Sequence, residues 1–235
     1  PHDIHQLQQF DIDIASIDQQ SGRLDALISP ELAKWLHQKH VPNTPIIDDV
    51  NLYAQQLRQS GYFDYFHSYP QMLEEMQAIV DEHPQMASLH DIGDSYLKLA
   101  GRGGHDVWAL KISDDVAIED STEADVLYIA NLHARELITP EVLFYFIRHL
   151  VDNYGRDALV THLVENRELW FIPSANPDGH EYVFQGDSDN RNNRSMLEPL
   201  WWRKNMRDNN VDGVFDPLKD GVDLNRNFGF AWALD

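Results

Sequence analysis

The chain has 235 residues, with 39 acidic against 18 basic side chains, a formal charge of −21 and no cysteine. That balance argues against a nucleic-acid partner, because phosphate contacts need a basic face, and zero cysteine rules out disulfides and thiolate chemistry. An apolar fraction of 43% suffices for the core of one large domain, or a medium domain with a small appendage, and no apolar run approaches a membrane span.

In chain order, Phe10-Asp11-Ile12-Asp13-Ile14 alternates apolar and polar residues and predicts a strand running towards Ile17. Gln20-Ser21-Gly22 is a turn signal, and Leu24 to Ile28 a second strand, which makes a hairpin. Ser29-Pro30-Glu31 caps a short helix through Leu32, Trp35 and Leu36. Asp48 to Gln59 reads as a further helix or a linker. Residues 1–60 are therefore expected to form a small α+β unit, and residues 61–235 a larger domain.

In the larger domain, Ser68-Tyr69-Pro70-Gln71 is a capping-box pattern ahead of Met72, Leu73, Met76, Ile79 and Val80 on one helical face. Ser88 to Ile92 and Asp106 to Ile112 read as strands joined by a glycine-rich turn at Gly101 to Gly104. Ala124 to Ala130 reads as a buried strand, Glu141 to Asn153 as a helix with Thr139 as N-cap and Pro140 at its first position. Asp157 to Asn166 is helical, Leu169 to Ile172 a strand, and Ser174 to His180 a turn. Strands alternate with helices, so the expected class is α/β, with a mixed central β-sheet flanked by helices.

The stretch with chemistry is Asn131-Leu132-His133-Ala134-Arg135-Glu136, between that strand and helix. It sits at the carboxyl end of a strand, where open α/β sheets bind ligands. Imidazole nitrogen and carboxylate oxygen are both common zinc donors, and at this spacing His133 and Glu136 can reach one ion. A bare His-x-x-Glu is common, and a surface His beside a surface Glu is the bland alternative.

Four motifs in order, His133-Ala134-Arg135-Glu136, Asn176-Pro177-Asp178-Gly179, Trp202-Arg203-Lys204-Asn205 and Gly221-Val222-Asp223-Leu224-Asn225-Arg226-Asn227-Phe228, resemble the zinc metallocarboxypeptidases of the carboxypeptidase A and carboxypeptidase T type. Weaker similarity starts near Tyr65-Phe66-His67-Ser68-Tyr69, and residues 1–60 resemble the pro-region of bacterial members. The resemblance implies a zinc-dependent exopeptidase acting on the C-terminal peptide bond of peptides or proteins, in a secreted or periplasmic setting. It implies zinc ligation by His133 and Glu136, and substrate contact by Arg135. It gives Arg203 to the carbonyl oxygen as that oxygen gains charge, and Asn225 and Arg226 to the substrate's C-terminal carboxylate. Arginine suits the last two roles, because a planar guanidinium meets a carboxylate or oxyanion through paired donors.

The family's third zinc ligand, general-base glutamate and covering tyrosine follow the Asn-Arg pair, and the last histidine here is His180. The resemblance therefore reads the chain as a pro-region plus the first part of a catalytic domain. The alternative is a non-catalytic module that binds C-terminal carboxylates. A second expectation is calcium at Asp208, Asn210, Asp212 and Asp216, where oxygen donors take the first, third, fifth and ninth places of an EF-hand-type loop with glycine at the sixth. Lys219 stands where that loop needs a bidentate glutamate, so a solvated acidic loop is the bland alternative.

Overall fold

A computed structural model describes residues 12–18, 20–118, 121–185, 201–217 and 219–229. Phe10 and Asp11, the start of the first predicted strand, lie outside the described residues. Contacts divide the chain into two compact units, Pro1–Asp48 and Asp49–Asp235.

In the small unit β1 (Asp13–Asp18) pairs antiparallel with β2 (Arg23–Leu27), with a bulge between Ile14 and Ser16. Helix α1 (Pro30–Gln38) follows. Ser29 caps it by accepting a hydrogen bond from Leu32 N at 3.1 Å, with Pro30 at the first position.

The expected boundary near residue 60 falls twelve positions earlier. Helix α2 (Val50–Gln59) belongs to the larger unit. Arg58 donates to Val183 O at 2.7 Å and to Phe184 O at 3.1 Å, while Val50 O accepts from Trp201 Nε1 at 2.9 Å.

The larger unit is built on a four-stranded sheet. Its strands are β3 (Ala87–Asp94), β4 (Asp106–Ile112), β5 (Ala124–Ile129) and β6 (Arg167–Ile172), in the order β3-β4-β6-β5. β4 runs antiparallel to β3 and β6, and β5 runs parallel to β6. The sheet is thus mixed and flanked by helices. Helix α3 (Tyr69–Glu82) starts at the capping box of Ser68 and Gln71. Its Met72, Met76 and Ile79 pack with Leu110, Ile112, Leu169 and Phe171 of the sheet and with Phe144, Ile147 and Leu150 of α5 (Ile138–Asn153). Period-two strands meet period-3.6 helices over one apolar layer, as each pattern dictates.

Four local readings need correction. The link between β3 and β4 is more than a turn: it holds α4 (Tyr96–Leu99) ahead of the glycines. β5 is an edge strand among the described residues. Val126 and Tyr128 pack into the core, whereas Leu127 and Ile129 are exposed. Thr139 is not the N-cap of α5, because the helix begins at Ile138; the Thr139 hydroxyl instead donates to Glu136 O at 2.8 Å. Asn176-Pro177-Asp178-Gly179 is not a free turn. It opens α7 (Pro177–Gln185), which follows α6 (Ala158–Val164) and β6 in the chain. Proline with fixed φ fits that first helical position.

On the opposite sheet face, Lys111 Nζ and Glu168 Oε1 form a buried ion pair at 2.7 Å, with the ammonium 5.5 Å from the Trp170 ring centroid. Among the described residues no helix is long and apolar enough to cross a membrane.

Candidate metal and substrate site

Because β5 and β6 are parallel, their carboxyl ends lie side by side, and the loops that leave them are stitched together. Ala130 N donates to Ile172 O at 2.9 Å, and Ala175 N to Ala130 O at 3.1 Å. The first loop carries His133 and Glu136; the second leads into Asn176 and α7.

Ala134, fully buried in a second apolar cluster with Leu137, Val183, Trp202 and Met206, pins the first loop from below. His133 is buried, and its Nδ1 lies 2.8 Å from Glu136 Oε1. Arg135 Nη1 donates to Trp201 O at 3.3 Å.

The other motifs are joined to this loop through backbone groups. Ala134 N donates to Arg203 O at 3.1 Å. Asn176 Nδ2 donates to Lys204 O at 3.0 Å, and Asn176 Oδ1 accepts from Gly179 N at 3.2 Å. Asn205 Oδ1 accepts from Val222 N at 2.8 Å, and Asn205 N donates to Val222 O at 3.0 Å. Two glycines are required by close approach. A Cβ on Gly179 would stand 2.6 Å from Asn176 Oδ1 and 2.9 Å from Ala134 Cβ. Gly221 has φ +81, and a Cβ there would stand 2.7 Å from both Asn205 O and Trp202 Cζ2. The four motifs are therefore one packed assembly.

Asp223 is the residue the sequence reading passed over. Its Oδ2 accepts from Arg203 Nε at 2.9 Å, and its Oδ1 accepts from Asn225 N at 2.9 Å while lying 3.3 Å from His133 Nε2. The last contact is within ion-pair range but does not form a hydrogen bond, and among the described residues His133 Nε2 has no other partner. Burial pushes the Asp223 carboxyl up, but Arg203, the Asn225 backbone N–H and His133 together outweigh it and hold the group below the usual carboxylate range. The available signal was local: an aspartate two residues before Asn225 is an N-cap pattern, and Asp223 caps the 3₁₀ turn Leu224–Arg226. That turn leaves Asn225 and Arg226 exposed, with Arg226 Nη1 donating to Asn225 O at 3.1 Å.

The donor set fits zinc in type. An imidazole Nδ1 and a carboxylate oxygen converge, and the other ring nitrogen lies 3.3 Å from a carboxylate, the kind of group that orients a metal-ligating histidine once hydrogen-bonded to it. Among the described residues no group of three or more His, Cys, Asp or Glu is placed to hold a metal ion. The described pair thus supplies two donors, against about three protein ligands in a catalytic zinc site.

The calcium expectation finds no support: among the described residues no group of three or more acids is placed to hold an ion, and each loop carboxylate already has a protein partner. Asp208 Oδ2 accepts from Gly213 N at 2.8 Å and from Arg102 Nη1 at 3.0 Å. Asp212 accepts from Val214 N and from the Asn210 amide, each at 2.8 Å, and Asp216 pairs with Lys219 Nζ at 3.0 Å. Arg102 and Lys219 pair with Asp208 and Asp216, N–H donors serve Asp212, and Asn210 is itself a neutral donor to Asp212.

The sequence matches the zinc carboxypeptidase family over residues 72–235, more than half of the chain. A zinc carboxypeptidase from Saccharothrix mutabilis subsp. capreolus is 36% identical over 174 residues, covering 74% of this chain and 34% of that protein. The inactive metallocarboxypeptidase ecm14 of Talaromyces marneffei is 24% identical over 227 residues, covering 92% of this chain and 34% of that protein. Among solved structures, carboxypeptidase A from Helicoverpa armigera superimposes with a TM-score of 0.71 at 25% identity, over 99% of this chain and 54% of that one. The chain thus spans 34% of the length of these two relatives and 54% of the solved structure. A mixed sheet, a His–Glu pair at the parallel strand ends and four interlocked motifs carry the same conclusion as these matches: the chain belongs to the zinc carboxypeptidase family.

Proposed function

We propose that these residues serve a zinc-dependent exopeptidase that cleaves the C-terminal peptide bond of peptides or proteins. The observation that carries this reading is the convergence of His133 Nδ1 on Glu136 Oε1 at 2.8 Å, with Asp223 behind the ring and bonded to Arg203. His133 and Glu136 would hold the zinc, which when bound supplies a Lewis acid for the scissile carbonyl and lowers the pKa of a bound water to about 7. Asp223 fixes Arg203 through Nε, so the remaining guanidinium donors can meet a carbonyl oxygen as it gains charge. Asn225 and Arg226, exposed on one 3₁₀ turn, would grip the free carboxylate of the substrate, with Arg135 contacting its backbone. By the same family likeness the setting is secreted or periplasmic, and the N-terminal unit is a pro-region.

A second reading is favoured by the Talaromyces relative, which is named inactive. In it, Asn225 and Arg226 bind C-terminal carboxylates and no hydrolysis follows.

The test is binding of a blocked dipeptide as free acid and as amide, to the chain and to Arg226→Ala. Under both readings the free acid binds at least about tenfold more tightly, and the variant loses the preference. Equal binding of acid and amide would sink the clamp. Hydrolysis by the full-length protein, dependent on zinc, separates the exopeptidase from the binding module.

A further inference from the structure

Between β5 and the His133–Glu136 turn stands Asn131, which is 1% exposed and has a left-handed backbone, φ 48. Residues other than glycine rarely adopt that conformation; asparagine tolerates it best. Every polar group of its side chain is used. Nδ2 donates to His133 O and to Ala134 O, each at 3.2 Å, and Oδ1 accepts from Ser174 Oγ at 2.9 Å. Two carbonyls on one side and a hydroxyl on the other fix which way the amide faces. Its backbone N–H donates to Thr139 Oγ1 at 2.9 Å, and that hydroxyl donates to Glu136 O at 2.8 Å. One residue therefore holds the carbonyl of His133 directly and the carbonyl of Glu136 through a single hydroxyl. Ser174, from the loop after β6, locks the amide in place.

We propose that Asn131 is the positioning residue of the metal pair: its side chain sets the separation and aim of His133 and Glu136 for zinc. The inference rests on the zinc reading above. A buried asparagine could also serve only to close a turn, and the two roles differ in what they change. Turn closure depends on the left-handed backbone, which glycine keeps. Ligand positioning depends on the amide, which glycine lacks.

Asn131→Gly therefore separates them. Zinc affinity is read by competition with an indicator dye, and the His133 imidazole by its ¹⁵N shifts in the zinc-free protein. Asn131→Gly should fold with a lowered melting temperature, because buried carbonyls lose their donor, bind zinc at least about tenfold more weakly, and shift the His133 imidazole resonances; outer-shell partners of metal ligands typically carry effects of about 10–100-fold. Ser174→Ala, which leaves Asn131 in place but frees its amide, should show a smaller loss in the same direction. Wild-type affinity and unchanged His133 shifts in Asn131→Gly overturn the proposal. If that variant does not fold, unchanged affinity in Ser174→Ala overturns it and a several-fold loss upholds it. His133→Ala is the control for the reading beneath: if it binds zinc as the wild type does, or the wild type binds none, the metal pair itself is wrong and the inference falls with it.

Discussion

His133 Nε2 lies 3.3 Å from Asp223 Oδ1, and the same carboxylate accepts Arg203 Nε at 2.9 Å. One anion from the fourth motif thus lies beside a candidate ligand from the first and binds a candidate oxyanion donor from the third. Asp223→Asn keeps the shape and removes the charge. It should weaken zinc binding by about 10–100-fold while leaving the secondary structure intact. Dye-competition affinities compared with far-UV circular dichroism check this; unchanged affinity would show that the Asp223 charge plays no part in aiming the ring.

Gly221 and Gly213 have nearly the same backbone, φ +81 and φ +83, but different surroundings. A Cβ on Gly213 meets nothing within 4 Å, whereas one on Gly221 meets Asn205 O and Trp202 Cζ2 at 2.7 Å. Gly213→Ala should cost only the backbone term, roughly 1–2 kcal/mol. Gly221→Ala should cost more, because backbone and a packed indole must shift as well. Urea denaturation of the two variants gives the ordering, and equal losses would mean that the third and fourth motifs are not interlocked as described.

His180 is fully buried on α7, and its Nε2 is 2.9 Å from His67 O, so that nitrogen donates. Burial pushes its pKa down to about 4, offset in part by the His67 hydrogen bond. Below about 6.5 the unfolded chain takes up a proton that the folded chain refuses, so stability falls with pH until about 4, where both forms are protonated. The loss across that window is on the order of 3 kcal/mol. His180→Gln cannot titrate and should lose less stability than the wild type between pH 6.5 and 4. Parallel curves for the two proteins would contradict the buried neutral imidazole.

Most elements were legible because local rules and tertiary packing agree on them. The capping box at Ser68 and the strand read at Asp106 to Ile112 are examples. Where they failed, a distant partner decided. Thr139 looks like an N-cap, but its hydroxyl serves Asn131 and Glu136 instead. Leu127 and Ile129 look buried by composition, and no local pattern says that one face of β5 is left uncovered by the described residues. The acids at Asp208 and Asp212 suggested a cation site, because sequence spacing cannot show that Arg102, more than a hundred residues away, already neutralises Asp208. Type and spacing single out His133 and Glu136, and motif resemblance Arg203, Asn225 and Arg226, as candidates whose roles are proposed above. Asp223 and Asn131 stand out only through their contacts, with Arg203 and His133 in one case and with His133 O, Ala134 O and Ser174 in the other.

The central claim is that His133 and Glu136 bind one zinc ion. X-ray absorption spectroscopy of the zinc-loaded chain tests it most directly. The account predicts an imidazole nitrogen and a carboxylate oxygen at about 2.0–2.2 Å, the nitrogen shell losing its imidazole signature in His133→Ala and the oxygen shell changing in Glu136→Ala. A zinc spectrum identical in the wild type and both variants would contradict it.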